Sequence, residues 1–376
     1  MKVTHRNKYI TLLLAVVMSG AVHARSFRGE GSDLMMGIGA DAIARSGAVA
    51  ASTSDIYSMY WNPAGLAQME QNQVTLSGQL DAQLTGFNFA ALAFNNKRLR
   101  FGRYQAAIGM ARLTRLHVKA SGAYGPDDFE SIFLRYALPG LPDDFDGDIE
   151  SKTRDTRITI ALRPLADARW SLGINFGEIH CKTSFCGVFA TDPGNFTVAS
   201  TDAKAQTLGI GGKYQVNDQL ILGLNIKDID TDLDVETIQT DANGTTIKRF
   251  TTGFPRSITV AAFWKHRINK DITLEYENVS GDYGTSEVDI QVIRGGYEYR
   301  QDQWSYRAGI LIPLVIESDS VQDIKSDLPA PFLISAGVGW GNRQSAIDFA
   351  LYPHPLMSYS KGRLSMSAEM SITYRF

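Results

Sequence analysis

Three groups of residues in this 376-residue chain have the types and spacing to do chemistry. Asp127, Asp128, Asp143, Asp144, Asp146 and Asp148 crowd one stretch, and hard oxygen donors at that density can hold Ca²⁺. A solvated acidic loop is the plainer reading and needs no ion. Cys181 and Cys186 are the two cysteines. Their spacing allows a small-loop disulfide, and closing so short a ring stabilises by roughly 2 kcal/mol. A redox or metal role would need partners, and His180 is the one neighbour of a suitable type. The third group is Lys213, Glu275, Glu277, Arg307, Asp348, Glu369 and Arg375, which share the polar face of alternating segments. No Gly-x-Ser-x-Gly elbow, His-Glu-x-x-His or phosphate loop occurs. The expectation is a protein that is not an enzyme and uses no metal or cofactor.

The elements that position these residues follow from composition and periodicity. Lys plus Arg is 37 and Asp plus Glu 40, giving a net charge of −3, with 44% hydrophobic residues. That balance excludes a nucleic-acid binder, which shows a basic excess or stripe, and excludes disorder. After the N-terminus no window approaches 18 uncharged apolar residues, so a helical membrane protein is excluded. A soluble β or α/β protein and an outer-membrane barrel remain.

Periodicity decides between them. From 363 to 376 the chain alternates without a fault: Leu364, Met366, Ala368, Met370, Ile372, Tyr374 and Phe376 against Arg363, Ser365, Ser367, Glu369, Ser371, Thr373 and Arg375. Period two means a strand with one apolar and one polar face. The same pattern, with turn residues between, predicts fourteen strands near 73–80, 84–94, 101–113, 151–163, 170–179, 203–215, 219–230, 255–265, 271–280, 288–300, 303–315, 331–341, 343–352 and 363–376. Their connections alternate short and long, the longer ones being 114–150, 180–202, 231–254, 281–287, 316–330 and 353–362. Segregation of loop length by end is a property of outer-membrane barrels. The fold class is therefore all-β, a 14-stranded antiparallel transmembrane barrel over 73–376, embedded in outer-membrane lipid. The polar face is the lumen, and its seven charges, of both signs, read as a mutually compensating network rather than an ion filter. The ending Tyr374-Arg375-Phe376 resembles the C-terminal signal that the barrel insertion machinery reads in bacterial outer-membrane proteins.

The N-terminal part does not alternate. Residues 1–24 have a basic start, an apolar run and a Val22-His23-Ala24 cleavage site, which is a secretory signal peptide. Residues 25–72 are rich in Gly, Ala and Ser, with short helical stretches expected around 41–51, and are too weakly apolar for a core of their own. A plug inside the barrel is the natural place for them. Here stands the motif Tyr60-Trp61-Asn62-Pro63-Ala64-Gly65, preceded by Asp55 and by Gly37-Ile38-Gly39-Ala40. Pro63 drives Asn62 to extended geometry and ends a helix, and Gly65 permits close packing. This motif closely resembles the N-terminal hatch of the FadL superfamily of outer-membrane transporters.

The resemblance covers the hatch, the strand number and the terminal Phe. It implies passive uptake of a hydrophobic small molecule, such as a long-chain fatty acid or a hydrocarbon, across a Gram-negative outer membrane. The expected route runs from an external loop past the hatch or sideways through the wall. Phe129, Ile132, Phe133, Leu134, Tyr136 and Leu138 make an apolar patch suited to capture such a ligand. The wording around Asn62-Pro63 also looks like the PorV branch, and conjugation-associated TraF-type barrels are a further relative. The alternative is therefore a barrel that acts through secretion-system proteins.

Overall fold

The computed structural model describes residues 26–32, 36–80, 88–95, 100–125, 145–183, 198–241, 244–283, 286–318, 331–353 and 366–376. The signal segment, the apolar patch at 129–138, Asp127, Asp128, Asp143, Asp144 and Cys186 lie outside them. The strands in chain order are β1 (Ser26–Glu30), β2 (Gln73–Leu80), β3 (Phe89–Phe94), β4 (Arg100–Phe101), β5 (Tyr104–Tyr124), β6 (Phe145–Pro164), β7 (Trp170–Thr183), β8 (Val198–Gln215) and β9 (Leu220–Ile229). There follow β10 (Asp232–Asp241), β11 (Gly244–Gly253), β12 (Arg256–Arg267), β13 (Lys270–Tyr283), β14 (Ser286–Gln301), β15 (Trp304–Ser318), β16 (Leu333–Gly341), β17 (Ser345–Pro353) and β18 (Met366–Arg375).

Every pairing is antiparallel, and β18 closes on β2 with Ile372 opposite Leu76 and Tyr374 opposite Val74. Three wall strands are interrupted: β3 and β4 both pair with β5, β9 and β10 both pair with β8, and β11 with β12 continues one strand beside them. Counted through the breaks, the wall is a closed barrel of 14 strands. The first strand, β1, is not one of these. It pairs with the far half of β5, Glu30 opposite His117 and Ser26 opposite Ser121, where the β3 ladder has already ended at Leu113.

The two faces of the wall differ as the alternation requires. Met110, Ile158, Leu172, Phe176, Leu224, Val260, Leu274 and Ile334 are all exposed on the outside. An apolar belt of this extent is far larger than the patches a soluble monomer shows, and it matches the lipid-facing band of an outer-membrane barrel. Trp170 and Tyr214 (ring centroids 4.3 Å apart) and Tyr374 and Phe376 (6.2 Å) lie near the short-turn end, as interfacial aromatics do. Closing the seam there, the Phe376 backbone N–H donates to Asn72 O at 3.0 Å.

The long connections need correction. Much of 114–150 and 180–202, and nearly all of 231–254, is strand: β5 runs on to Tyr124, β6 begins at Phe145, and β10 and β11 form a hairpin. Asp146 and Asp148 belong to β6, not to a loop. The reason is physical. Beyond the lipid belt the outer face meets water and need not be apolar, while Ile179, Ala203, Leu233 and Val235 are buried on the inner face, so the ladder continues but the apolar-out, polar-in alternation that marks it stops.

Candidate functional site

The segment from 36 to 71 fills the barrel near its short-turn end, and nearly every residue in it is buried. Its helices are shorter than the sequence suggests: α1 (Ala40–Ile43) and α2 (Ser58–Trp61), then a 3₁₀ turn at Pro63–Gln68. Ser46 (φ 54°) and Gly47 (φ 78°) stop α1 from continuing, because left-handed backbone cannot propagate a right-handed helix. Trp61 is the internal anchor. Its Nε1 donates to Ile38 O at 3.0 Å, and a Cβ on Gly37 or Gly47 would collide with its ring.

Asn62 is fully buried and organises the junction with the wall. Its Nδ2 donates to Ala50 O (2.9 Å), Gly212 O (3.2 Å) and Leu224 O (3.3 Å), and its Oδ1 accepts from Ala64 N–H at 3.1 Å. One side chain thereby ties the plug to itself, to β8 and to β9. Pro63 and Ala64 lie against Gly173 of β7, and Asn62 and Pro63 against Gly211 of β8, positions where any side chain would overlap them. The glycines on the inner face thus map the seat of the plug.

Around the rest of the circumference the seat has two characters. From β8 to β18 it is rich in hydrogen bonds, set among apolar clusters that join Ile43 and Ala44 with Leu311, Leu333 and Ala350, and Ala50 and Ala51 with Ala261 and Phe263. Lys213 Nζ donates to Thr53 O (2.6 Å) and Gln68 Oε1 (2.7 Å). Glu275 Oε2 accepts from the Val49 and Ala50 N–H groups at 3.1 and 3.0 Å. Glu369 Oε1 accepts from Gly39 N–H at 3.1 Å, and Ser46 Oγ lies 2.8 Å from Ser335 Oγ. From β3 to β6 it is mostly apolar, apart from Asn95 and Arg157, which donate to plug carbonyls. Ile56, Met59, Leu66 and Met69 pack on Phe89, Ala91, Ala93, Ala107, Ala111, Leu113 and Ala161. The wall residues there are small and in register, Ala91 opposite Ala111 and Ala93 opposite Gly109.

The seven charges read from sequence divide by role. Lys213, Glu275 and Glu369 hold plug backbone, so the compensating-network reading describes only part of the set. Glu277 pairs with Lys227 and Arg294, and Arg307 bridges Glu298 (3.0 Å) and Asp348 (2.6 Å). Arg375 sits apart, donating to Asn342 O at the short-turn end. Cys181 is buried and disulfide-bonded. Under the plug a polar cavity of about 280 Å³ is lined by Asp41, Asp55, Tyr57, Arg307, Asp348 and Arg375 among others. Burial, reinforced by the charge of Asp41, raises the Asp55 carboxyl to about 6. Burial likewise raises the Tyr57 hydroxyl well above its ordinary value, so it stays neutral in its contact with Thr75 Oγ1 at 2.8 Å.

Sequence reading missed a second tier on the long-connection side of the plug, built from Arg115, Asp155, Arg157, Lys227, Asp228 and Arg294. Arg157 Nη1 donates to Met59 O at 3.2 Å and pairs with Asp155. Arg115 forms a bidentate pair with Asp228, at 2.9 and 3.0 Å. Asp155 and Arg157 carried a usable signal, charge on the inner face of a strand whose other face is Ile158 and Ile160. Arg115 carried none, because a bulge between Thr114 and Leu116 shifts the phase of β5.

No protein-family model and no curated protein sequence matches this chain. Solved structures do match in fold. The toluene transporter TbuX of Ralstonia pickettii superposes with a TM-score of 0.59 at 15% identity, covering 91% of this chain and 99% of that one. The Pseudomonas putida toluene transporter TodX gives 0.53 at 13%, covering 92% and 98%. A Pseudomonas aeruginosa FadL homologue gives 0.54 at 12%, covering 91% and 99%. The chain has the fold of FadL-type outer-membrane transporters over nearly its whole described length.

Proposed function

We propose that this protein is an outer-membrane channel through which hydrophobic small molecules move inward by diffusion. The observation that carries the reading is the uneven seat of the plug. On the β8–β18 side the plug is fixed by directional hydrogen bonds from buried charges, each costly to break. On the β3–β6 side it meets the wall mainly through small apolar side chains and the adaptable thioethers of Met59 and Met69, with Arg157 and Asn95 donating to plug carbonyls at its margins. An apolar solute pressing between the Ile56, Met59 and Leu66 side chains and the wall alanines exchanges one apolar contact for another, with few hydrogen bonds to break there. The polar cavity beneath the plug then opens toward the short-turn end, which in a FadL-type orientation is the periplasm.

The fold neighbours that carry toluene or related monoaromatic hydrocarbons support this class of cargo. Fatty acids belong to the same proposal only through their apolar tails. The test is native mass spectrometry of the protein extracted in mild detergent, with analysis of any co-purified small molecule. A barrel carrying one or two apolar molecules is the expected result. A barrel that is consistently empty, or that retains another protein instead, overturns the reading and favours a docking role.

A further inference from the structure

On the long-connection side of the plug, the inner face holds an ionic bar that the seat does not use. Arg115 belongs to β5 and Asp228 to β9, strands separated in the wall by β6, β7 and β8. Their bidentate pair is therefore a chord across the lumen. Both ends are irregular: β5 bulges at Arg115, and Asp228 has φ 56°. Thr207 Oγ1 donates to Asp228 Oδ1 at 2.8 Å, Asp155 lies 3.8 Å from Arg115, and the Phe254 ring lies 4.4 Å from the guanidinium carbon. Below the bar, Arg157 takes Asp155, Lys227 takes Glu277 at 3.4 Å, and Arg294 takes Glu275 at 3.1 Å and Glu277 as well. Arg115, Arg157, Lys227 and Arg294 face Asp155, Asp228, Glu275 and Glu277, so this tier is electrically balanced.

We infer that Asp228, by holding Arg115 in the bar, denies a ligand carboxylate the cation it would need, so that this tier admits uncharged apolar compounds and rejects carboxylates of the same shape. The inference rests on the transport reading above and narrows its cargo. A ligand carboxylate entering this tier would shed water and find each of these cations already committed to an internal anion. Displacing Asp228 from Arg115 would strand a buried carboxylate, which is strongly unfavourable. An uncharged ring meets no such obstacle and gains from guanidinium and ammonium faces. Tyr60 already sits in that way, 4.8 Å from Lys227 Nζ and 5.9 Å from the Arg157 guanidinium carbon.

The test is accumulation of naphthalene and of 1-naphthoate at pH 7.5 by Gram-negative cells carrying the full-length protein, against cells without it. Three forms are compared: the natural protein, Asp228→Asn, and the double variant Arg115→Met with Asp228→Leu. Heat-modifiable gel mobility confirms that each variant is a folded barrel. The natural protein should speed naphthalene at least tenfold more than naphthoate. Asp228→Asn should raise naphthoate uptake at least fivefold while naphthalene stays within twofold, because the tier then loses one anion and carries a net positive charge toward a ligand anion. The double variant should still reject naphthoate. Equal passage of both probes by the natural protein overturns the inference, as does an unchanged naphthoate rate in Asp228→Asn. Naphthoate entry through the double variant also overturns it, since general loosening would then be the cause. Naphthalene uptake no faster than in cells without the protein overturns the transport reading itself, which separates the two failures.

Discussion

The plug meets the wall along two seams that differ in kind. Along β8–β18 apolar contacts are reinforced by hydrogen bonds to fixed backbone atoms: Glu369 to Gly39, Glu275 to Val49 and Ala50, Lys213 to Thr53 and Asn62 to the Gly212 and Leu224 carbonyls. Along β3–β6 the contacts are mainly methyl, methylene and thioether groups on alanines, Phe89 and Leu113, with hydrogen bonds to plug carbonyls from Arg157 and Asn95 at the margins. Directional bonds between buried polar groups define one position and penalise every other. Non-directional apolar contacts define a surface along which another apolar body can take the same place. In the proposed function the first seam is the mounting and the second the passage.

The largest effect should come from destroying the mounting sterically. A Cβ on Gly173 would overlap the Pro63 carbonyl, so Gly173→Val should leave the plug unable to seat. Planar-bilayer recording should then show large ion-conducting steps where the natural protein is closed. Next is Glu275→Ala, which leaves two plug N–H groups without their acceptor and Arg294 with one partner fewer. Breaking a buried pair of this type costs about 3–5 kcal/mol, and hydrogen exchange at the Val49 and Ala50 amides should accelerate accordingly. On the other seam, Ala111→Leu overpacks the wall at a cost of about 1–3 kcal/mol. It should lower apolar-probe flux several-fold without any ion leak.

The smallest effect concerns pH. Asp55 lies on the plug near Asp41 and Arg45, accepts from Tyr57 N–H and Thr53 Oγ1, and feels the charge of Lys213. Its folded-state value of about 6 lies above that of an exposed carboxylate. Protonation therefore favours the seated plug. The contribution is complete below about pH 4 and is lost as pH rises through about 6. Protection factors of the plug amides, corrected for the intrinsic base-catalysed rate, should be higher at pH 5 than at pH 7.5, and Asp55→Asn should flatten that difference.

How much of this was legible in the sequence depends on what each residue faces. Within the lipid belt, one face of every strand must be apolar, so Leu172, Ile174 and Phe176 or Ile372 and Tyr374 announce their strands directly. Beyond the belt that constraint vanishes, and the far halves of β5 and β6 and the β10–β11 hairpin read as loop. The plug was legible at Asn62-Pro63, where the backbone demands particular residues, but its two seams were not. A seam is made by pairs hundreds of positions apart, such as Gly39 with Glu369, and alternation places each partner on a face without saying what it meets there. Arg115 with Asp228 was doubly hidden, by a bulge at one end and left-handed backbone at the other.

The most direct test of the two-seam account is a pair of engineered tethers compared in one uptake assay. Ser46→Cys with Ser335→Cys ties the plug on the polar side, where the two hydroxyls already lie 2.8 Å apart. Met59→Cys with Gly109→Cys ties it on the apolar side, where Met59 packs against Gly109. Naphthalene accumulation is measured before and after mild reduction, with the natural protein as the control for the Cys181 disulfide. The account predicts that the apolar-side tether abolishes uptake until it is reduced, while the polar-side tether leaves uptake within twofold. Uptake that survives the apolar-side tether and stops with the polar-side one would contradict it.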